Sequence, residues 1–297
     1  MKFLVTGSAG LVGSQVIRDL SESANQIYSC YHNSKPEYGT PVQMNLASSD
    51  SIKTIINKVH PDCVIHLAAM TNVDLCETQK DLAMTINATA TKIIAKQSAL
   101  QGAFLVYVST DYVFDGNQGM KKEADIPNPV DFYGKSKLEG EKAVMNMASG
   151  WCIARTSTPF GVHKTKTSFP KFVIENLHAK KEIKAVTDQY TSSTYVANLS
   201  QMLIELARRQ ITGVIHVAGA TRISRFDMAN LIAEKLALDK SLIKPATVNE
   251  MKWAARRPKD SSLDVSKAFS ILNNKPQPID QSLEQFINEI KSSHLID

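Results

Sequence analysis

The sequence predicts an α/β protein, a doubly wound parallel sheet with a smaller lobe in its C-terminal half. Three observations carry this. Short apolar runs alternate with helix-period segments through the first half of the 297 residues. The runs are nearly continuous in apolar character, as strands covered on both faces are. The first run meets a glycine turn that opens a helical pattern, and right-handed crossovers then wind successive units onto both faces of one sheet.

The elements follow in order. "KFLVTG" is a short strand ending at glycine, and "LVGSQVIRDL" places Leu11, Val12, Val16, Ile17 and Leu20 at helical spacing. "QIYSCYH" reads as a second strand, and Ser49 and Asp50 are candidate caps for the helix "SIKTIINKVH". "DCVIHLAA" is a buried strand, and one long helix is expected from Asp81 to Leu100. "AFLVYVST", "KSKLEGEKAVMNMA" and "WCIART" read as strand, helix and strand. After Arg155 the pattern loosens: "TSTPFGVHKTKTS" is loop, "FPKFVIENLHAK" helix, and "STYVANLSQMLIELARR" a strongly amphipathic helix. "GVIHVAG" is a further buried strand that returns to the sheet. The expected division is a first domain over residues 1–157, rejoined by a segment near 184–219, and a lobe built from 158–183 and 220–297.

An apolar share of 43% with 21% charged residues fits a soluble globular chain. The longest apolar runs fall short of a membrane span, and "MKFLVTGSAG" lacks the apolar core of a signal peptide. Cys30, Cys63, Cys76 and Cys152 are widely spaced without a C-x-x-C pair, so free thiols in a reducing cytoplasm are expected. The net charge of +5 rests on scattered basic pairs such as Lys121-Lys122 and Arg208-Arg209, without interleaved aromatics. That argues against a nucleic-acid partner and suits small anionic ligands such as pyrophosphates. No metal site is expected.

"GSAGLVG" sets Gly7, Gly10 and Gly13 three residues apart between the first strand and the first helix. Side chains at Gly7 and Gly10 would crowd the turn and hold a pyrophosphate off the backbone, and Gly13 lets helix and strand pack closely. The free N–H groups and partial positive charge of the helix end then face the phosphates. This is a Rossmann-type dinucleotide site. NAD calls for a carboxylate at the end of the second strand. Here "CYHNSKPE" offers His32, Asn33, Ser34 and Lys35, with no acid before Glu37. Those groups suit a 2′-phosphate, so NADP(H) is the preferred cofactor and NAD(H) the alternative.

"DFYGKSKLEGE" looks at first like a charged surface helix. Tyr133 and Lys137 stand four apart on one helical face, continued by Gly140 and Val144, whereas Lys135, Glu139 and Lys142 fall on the other. Tyr31 and Lys35 share the spacing but run into Pro36, so no helix holds them in register. The pair suits ketone reduction. Hydride addition leaves an alkoxide that needs a proton, Tyr133 can give it, and an adjacent ammonium would draw the phenol pKa down from its usual 10 or so. Thr110, ending the fourth predicted strand, can hold the carbonyl oxygen. Ser109, one residue back, points to the other face.

Together these motifs resemble the extended short-chain dehydrogenase/reductase family, and within it the dTDP-4-dehydrorhamnose reductases, over nearly the whole chain. "VTGSAGLVG" is similar to the cofactor loop, which implies Gly7, Gly10, Leu11, Val12 and Gly13 at the cofactor. "HLAAMTNVDLCE" resembles the third-strand motif, implying Ala68 and Ala69 at the cofactor and Thr71 and Val73 at the sugar. "STDYVFDG" followed by "NPVDFYGKSKLEGE" is the most specific match: it implies Thr110, Tyr133 and Lys137 as the catalytic group, with Asp111 and Val113 near substrate and Lys137 on the nicotinamide ribose. Asn45 stands where the family has an aspartate before the apolar residue near adenine, here Leu46, and Thr158 where it has a tryptophan that packs on the sugar. Asp188, Gln189, Arg222 and Arg257 fall in segments implied to lie in or beside the substrate lobe. The resemblance implies NADPH-dependent reduction of the 4-keto group of a nucleotide-linked 6-deoxysugar, with dTDP-L-rhamnose as the usual product. A nucleotide-sugar epimerase or dehydratase is the second reading. A regulatory subunit of methionine adenosyltransferase, a role taken by relatives of this family, is the third. A homodimer is compatible with all three.

Overall fold

The computed structural model describes residues 1–148 and 150–293. The chain opens with β1 (Lys2–Thr6), α1 (Leu11–Ser21), β2 (Gln26–Tyr31), β3 (Thr40–Gln43), α2 (Ser49–Val59) and β4 (Cys63–His66). Then come α3 (Val73–Thr78), α4 (Lys80–Met84), a π turn (Thr85–Thr89), α5 (Ala90–Leu100), β5 (Phe104–Thr110), α6 (Phe132–Met145) and β6 (Trp151–Thr156). The later part comprises β7 (Pro159–Phe160), α7 (Phe169–His178), β8 (Ile183–Val186), β9 (Tyr190–Thr191), β10 (Thr194–Tyr195), α8 (Val196–Arg209), β11 (Gly213–His216), β12 (Ile223–Ser224), α9 (Arg225–Lys235), β13 (Ile243–Ala246), α10 (Ser266–Ile271) and α11 (Ile279–Ser292).

Seven strands form one sheet in the order β11-β6-β5-β4-β1-β2-β3, every neighbouring pair parallel. Alternate side chains of each strand enter opposite layers. Phe3, Val5, Ile65 and Val106 pack with Val16, Ile17 and Leu20 of α1 and with Leu199, Met202, Leu203 and Leu206 of α8. Leu4, Val64, Leu105 and Ile153 pack on the other face with Ile52 and Ile56 of α2, Ile94 of α5 and Val144 of α6. A separate core joins α7, α9 and α11 around Phe160, Ile174, Ile232 and Phe286. The strand order reverses direction between β4 and β1, and parallel strands leave a crevice beyond their carboxyl ends at that point.

Several expectations needed correction. The edge strand β3 was not foreseen: "TPVQ" has too little apolar character to register as a buried strand, because it borders β2 alone. Ser48, not Ser49 or Asp50, caps α2, its hydroxyl accepting from Ser51 N at 3.2 Å. The long helix from Asp81 to Leu100 carries the π turn at Thr85–Thr89, which periodicity alone does not reveal. The four cysteines, by contrast, are free as expected, and all are buried.

Glu141, one of the apparent surface charges of α6, is fully buried and grips Arg155 of β6 through two bonds, Nε to Oε1 at 2.9 Å and Nη2 to Oε2 at 2.7 Å. The guanidinium also lies over Phe114, 5.1 Å from its ring centre. This pair pins α6 to the sheet, and removing one charge strands the other in a low-dielectric interior. Glu141→Gln should lower stability in urea denaturation by about 3 kcal/mol, and the double change Glu141→Leu with Arg155→Met should restore most of it. A loss under about 0.5 kcal/mol in the single variant would show that the pair does not anchor the helix.

Candidate active site

The glycine loop closes over the end of β1. Gly7 has φ +69, and a Cβ there would sit 2.8 Å from Ala68 N, so the turn and the segment after β4 touch backbone to backbone. A Cβ on Gly13 would overlap the Gly7 carbonyl. Gly10 is the N-cap of α1 and provides no side-chain cap, and the first turn holds no acid. Among the described residues the amides of Leu11, Val12 and Gly13 have no protein acceptor. That cradle of free N–H groups beside bare backbone fits a dinucleotide pyrophosphate. Ser8 ties the loop to β2, its hydroxyl donating to Cys30 O at 2.7 Å, which brings the exposed His32, Asn33 and Ser34 to the same edge. Asn45 is exposed and its side chain accepts from Ala47 N, while Leu46 packs against the core under α2.

From the later half of the chain His163 Nε2 bonds Ala9 O at 3.2 Å, and Lys164 pairs with Glu37. Glu37, the first acid after β2, is thereby held by an ammonium and its carboxyl lies below the usual range, the hydrogen bond from Lys164 being the main cause.

Thr110, Tyr133 and Lys137 gather where β5 ends against the first turns of α6. Asp131 caps α6, Oδ1 accepting from Gly134 N at 2.8 Å. Its carboxyl is pushed up to about 6 by burial. The Tyr133 ring meets that of Tyr112 edge-on, centres 6.0 Å apart. Burial raises the Tyr133 phenol above its usual 10, and the Thr110 hydroxyl lies beside it. Lys137 corrects the sequence-based expectation. Its ammonium donates to Val108 O at 2.8 Å and lies 4.1 Å from the centre of the Tyr107 ring, so it is not what tunes the phenol here. Burial draws Lys137 down to about 7, with Glu141 opposing.

Beneath the trio runs a polar network that sequence reading missed. Thr6 Oγ1 accepts from Leu67 N at 3.2 Å and Ala68 N at 3.1 Å, so its proton goes to His66 Nδ1, 2.7 Å away. His66 is therefore neutral with its proton on Nε2, which faces Thr91 Oγ1 at 3.0 Å; Thr91 in turn donates to Asn87 O at 2.8 Å. Burial and the nearby Lys137 push His66 down to about 3, so the ring is neutral. Asn87, in the π turn, accepts from Met70 N at 2.8 Å and donates to Met70 O at 3.1 Å and to Ser136 Oγ at 2.9 Å; Ser136 donates to Tyr133 O at 2.8 Å. The Ala68–Met70 segment and α6 are thus set by one asparagine. The signal for it was weak: a polar residue in a helix otherwise legible by its apolar face.

Other expected site residues fall as follows. Thr71 is exposed and Val73, half-buried, opens α3. Thr158 is half-buried with φ +40. Val113 is buried in an apolar cluster with Phe114, Ala218, Leu263 and Val265, so its side chain does not reach the cleft. Asp111 is 2% exposed and both its oxygens are taken by protein hydroxyls, so it is not a direct substrate contact in this conformation. Gly140, on the same helical face as Tyr133 and Lys137, makes room for the Asn87 carbonyl and the Tyr107 hydroxyl. Arg257 pairs with Asp74 at 2.9 Å and Arg222 with Asp260 at 2.7 Å, the latter stacked 3.6 Å from the Tyr190 ring centre. Asp188 accepts from Val248 N at 2.7 Å, and Gln189 is buried. No helix among the described residues is long and apolar enough to cross a membrane, and none of their His, Cys, Asp and Glu groups is arranged to hold a metal ion.

A seven-stranded parallel sheet, a glycine cradle at its switch point and a Thr, Tyr and Lys cluster at the next strand end define a Rossmann-type protein of the extended short-chain dehydrogenase/reductase kind. Residues 1–292 match the family model described as the RmlD substrate binding domain, and the chain belongs to that family. The methionine adenosyltransferase 2 subunit beta of Xenopus tropicalis is 32% identical over 276 residues, covering 90% of this chain and 81% of that protein. A hypothetical dTDP-4-dehydrorhamnose reductase from Sulfolobus tokodaii superposes with a TM-score of 0.86 at 37% identity, covering 95% of this chain and 99% of that one. The dTDP-4-dehydrorhamnose reductase of Bacillus anthracis in complex with NADP gives 0.87 at 31% identity, covering 97% and 99%.

The buried lysine makes a stability prediction. A lysine whose folded pKa is depressed below its unfolded value penalises the fold fully below the folded pKa, and the penalty fades as pH rises toward the unfolded value. With Lys137 near 7 when folded and 10.5 as the reference, the cofactor-free protein should gain stability from this group between those values. The melting temperature of Lys137→Met, compared with the parent, should show its largest relative gain below neutral pH and lose it progressively between about pH 7 and 10. A difference that does not change with pH would mean the ammonium is not desolvated.

Proposed function

We propose that the protein is an NADPH-dependent reductase of the 4-keto group of a nucleotide-linked 6-deoxysugar, with dTDP-4-dehydrorhamnose the model substrate and dTDP-L-rhamnose its product. The observation that carries this reading is the placement of Thr110, Tyr133 and Lys137 on the same sheet edge as the uncapped start of α1. Gly7, Gly10, Leu11, Val12 and Gly13 would hold the pyrophosphate, Ala68 and Ala69 the face of the dinucleotide, Asn45 and Leu46 the adenine side, and His32, Asn33 and Ser34 a 2′-phosphate. A bound nicotinamide dinucleotide supplies the hydride. Tyr133 gives the proton to the ketone oxygen; burial keeps its phenol protonated, and so ready to serve as the acid, at working pH. Thr110 holds that oxygen or the phenol, and Lys137 holds the nicotinamide ribose, its pKa allowing proton exchange near neutrality. Thr71, Val73 and Thr158 would face the sugar, and residues 158–183 with 220–293 would form the lobe beside it.

Tyr133→Phe should lower kcat for ketosugar reduction by at least about 100-fold while leaving NADPH affinity within about threefold. Activity near that of the parent would remove Tyr133 as the acid. Steady-state assays should favour NADPH over NADH, and equal use of the two would contradict the assignment of His32, Asn33 and Ser34. A second reading, a non-catalytic subunit, is favoured by the 32% identity to a methionine adenosyltransferase subunit. Recovery of that synthetase in a pull-down, with no turnover of any ketosugar, would select it.

A further inference from the structure

Asp111 is a buried carboxylate without a counter-charge. Among the described residues no cation lies within ion-pairing distance of it. Its side-chain partners are three hydroxyls: Thr110 Oγ1 at 3.0 Å on Oδ1, and Ser157 Oγ at 2.7 Å and Ser261 Oγ at 2.5 Å on Oδ2. Such burial disfavours the ionised form, and desolvation raises the carboxyl to about 6 despite the three bonds.

A hydroxyl has one proton to give. Thr110 Oγ1 already accepts from Tyr112 N at 3.2 Å. While Asp111 is ionised it takes the Thr110 proton, and Thr110 turns only a lone pair toward the Tyr133 phenol. When Asp111 is protonated, the two serines still donate to Oδ2, so the acid proton resides on Oδ1 and is donated to Thr110. Thr110 then releases its own proton toward the phenol and the reacting oxygen.

We propose that Asp111 is a positioning residue that decides whether Thr110 accepts or donates a hydrogen bond in the active site. This rests on the assignment of Thr110 and Tyr133 to catalysis above. A donating Thr110 stabilises the ketone oxygen and the phenolate left after proton transfer, so it favours reduction. An accepting Thr110 favours a bound alcohol. The other titratable groups facing Asp111 are Tyr112 beside it and Tyr133 and Asp131 of the α6 start; the segments carrying Ser157 and Ser261 contribute hydroxyls. Asp131 titrates in the same range and needs its own control; Lys137, near 7, is unchanged in Asp111→Asn, so a limb that it caused would survive that substitution.

Asp111→Asn tests the device. The two serines should hold the amide oxygen at the Oδ2 position, leaving the amide nitrogen to donate to Thr110 as the protonated acid does. In the parent, kcat for ketosugar reduction should fall about threefold or more as pH rises through about 6. Asp111→Asn should lose that limb and keep the low-pH rate, whereas Asp131→Asn should retain it. If Asp111→Asn keeps the parent's limb, the proposal is overturned. Should that variant not fold, Ser261→Ala serves: losing a donor to Oδ2 should move the limb to higher pH, and an unmoved limb counts against Asp111. A substrate-free measurement separates this from the proposed function. Tyrosinate absorbance, taken as a difference from Tyr133→Phe, should show the phenol titrating about one pH unit lower in Asp111→Asn than in the parent. Adding Thr110→Val should cancel most of that shift. If the shift survives without the Thr110 hydroxyl, it reflects lost charge alone and the proposal fails, whether or not a ketosugar is reduced.

Discussion

The paired charges of Glu141 and Arg155 are the constraint on which the candidate active site depends. α6 carries Tyr133 and Lys137 on a face whose neighbours are polar, so apolar burial alone would not select its depth or rotation. A two-pronged ion pair to β6 selects both, because any slide or twist leaves one charge unpaired. Asn87 and Ser136 then set the helix against the Ala68–Met70 segment, and Asp131 sets its first turn. The trio is thus held from three sides before any ligand arrives, which is what preorganised chemistry requires.

The same economy appears in the protons. His66 is locked into one tautomer, and the hydroxyls around Asp111 have their donors accounted for. Buried networks of this kind tolerate little slack, since an unmatched donor or acceptor is costly in a low dielectric. Their cost is accepted where the chemistry needs a defined proton direction. Raised proton affinity at Tyr133 and lowered affinity at Lys137 have one origin, burial of both groups at the end of β5.

Much of the architecture was legible because it follows from periodicity. Alternating apolar strands and helices gave the parallel sheet, the glycines after β1 gave the switch-point crevice, and "GVIHVAG" was correctly returned to the sheet as β11. The exposed side of α6 was also legible, with Lys135, Glu139 and Lys142 facing outward. What was not legible depended on partners distant in sequence. Glu141 looked like its solvated neighbours until Arg155 was placed beside it, although a charge inside the strand "WCIART" was a signal that a counter-ion had to exist. Asp111 and Val113 were attached to the substrate because they flank Thr110 in the motif; the chain turns there and buries both. Lys137 stood at the right helical spacing, yet spacing does not say which acceptor its ammonium finds.

The central claim is that this site transfers hydride to a sugar ketone. It is tested most directly with NADPH deuterated at the transferring position and dTDP-4-dehydrorhamnose, reading the product by mass spectrometry and NMR. The account predicts one deuterium at C4 of the sugar, formed in step with oxidised cofactor. Product without deuterium, or cofactor that binds and is never oxidised, would contradict it.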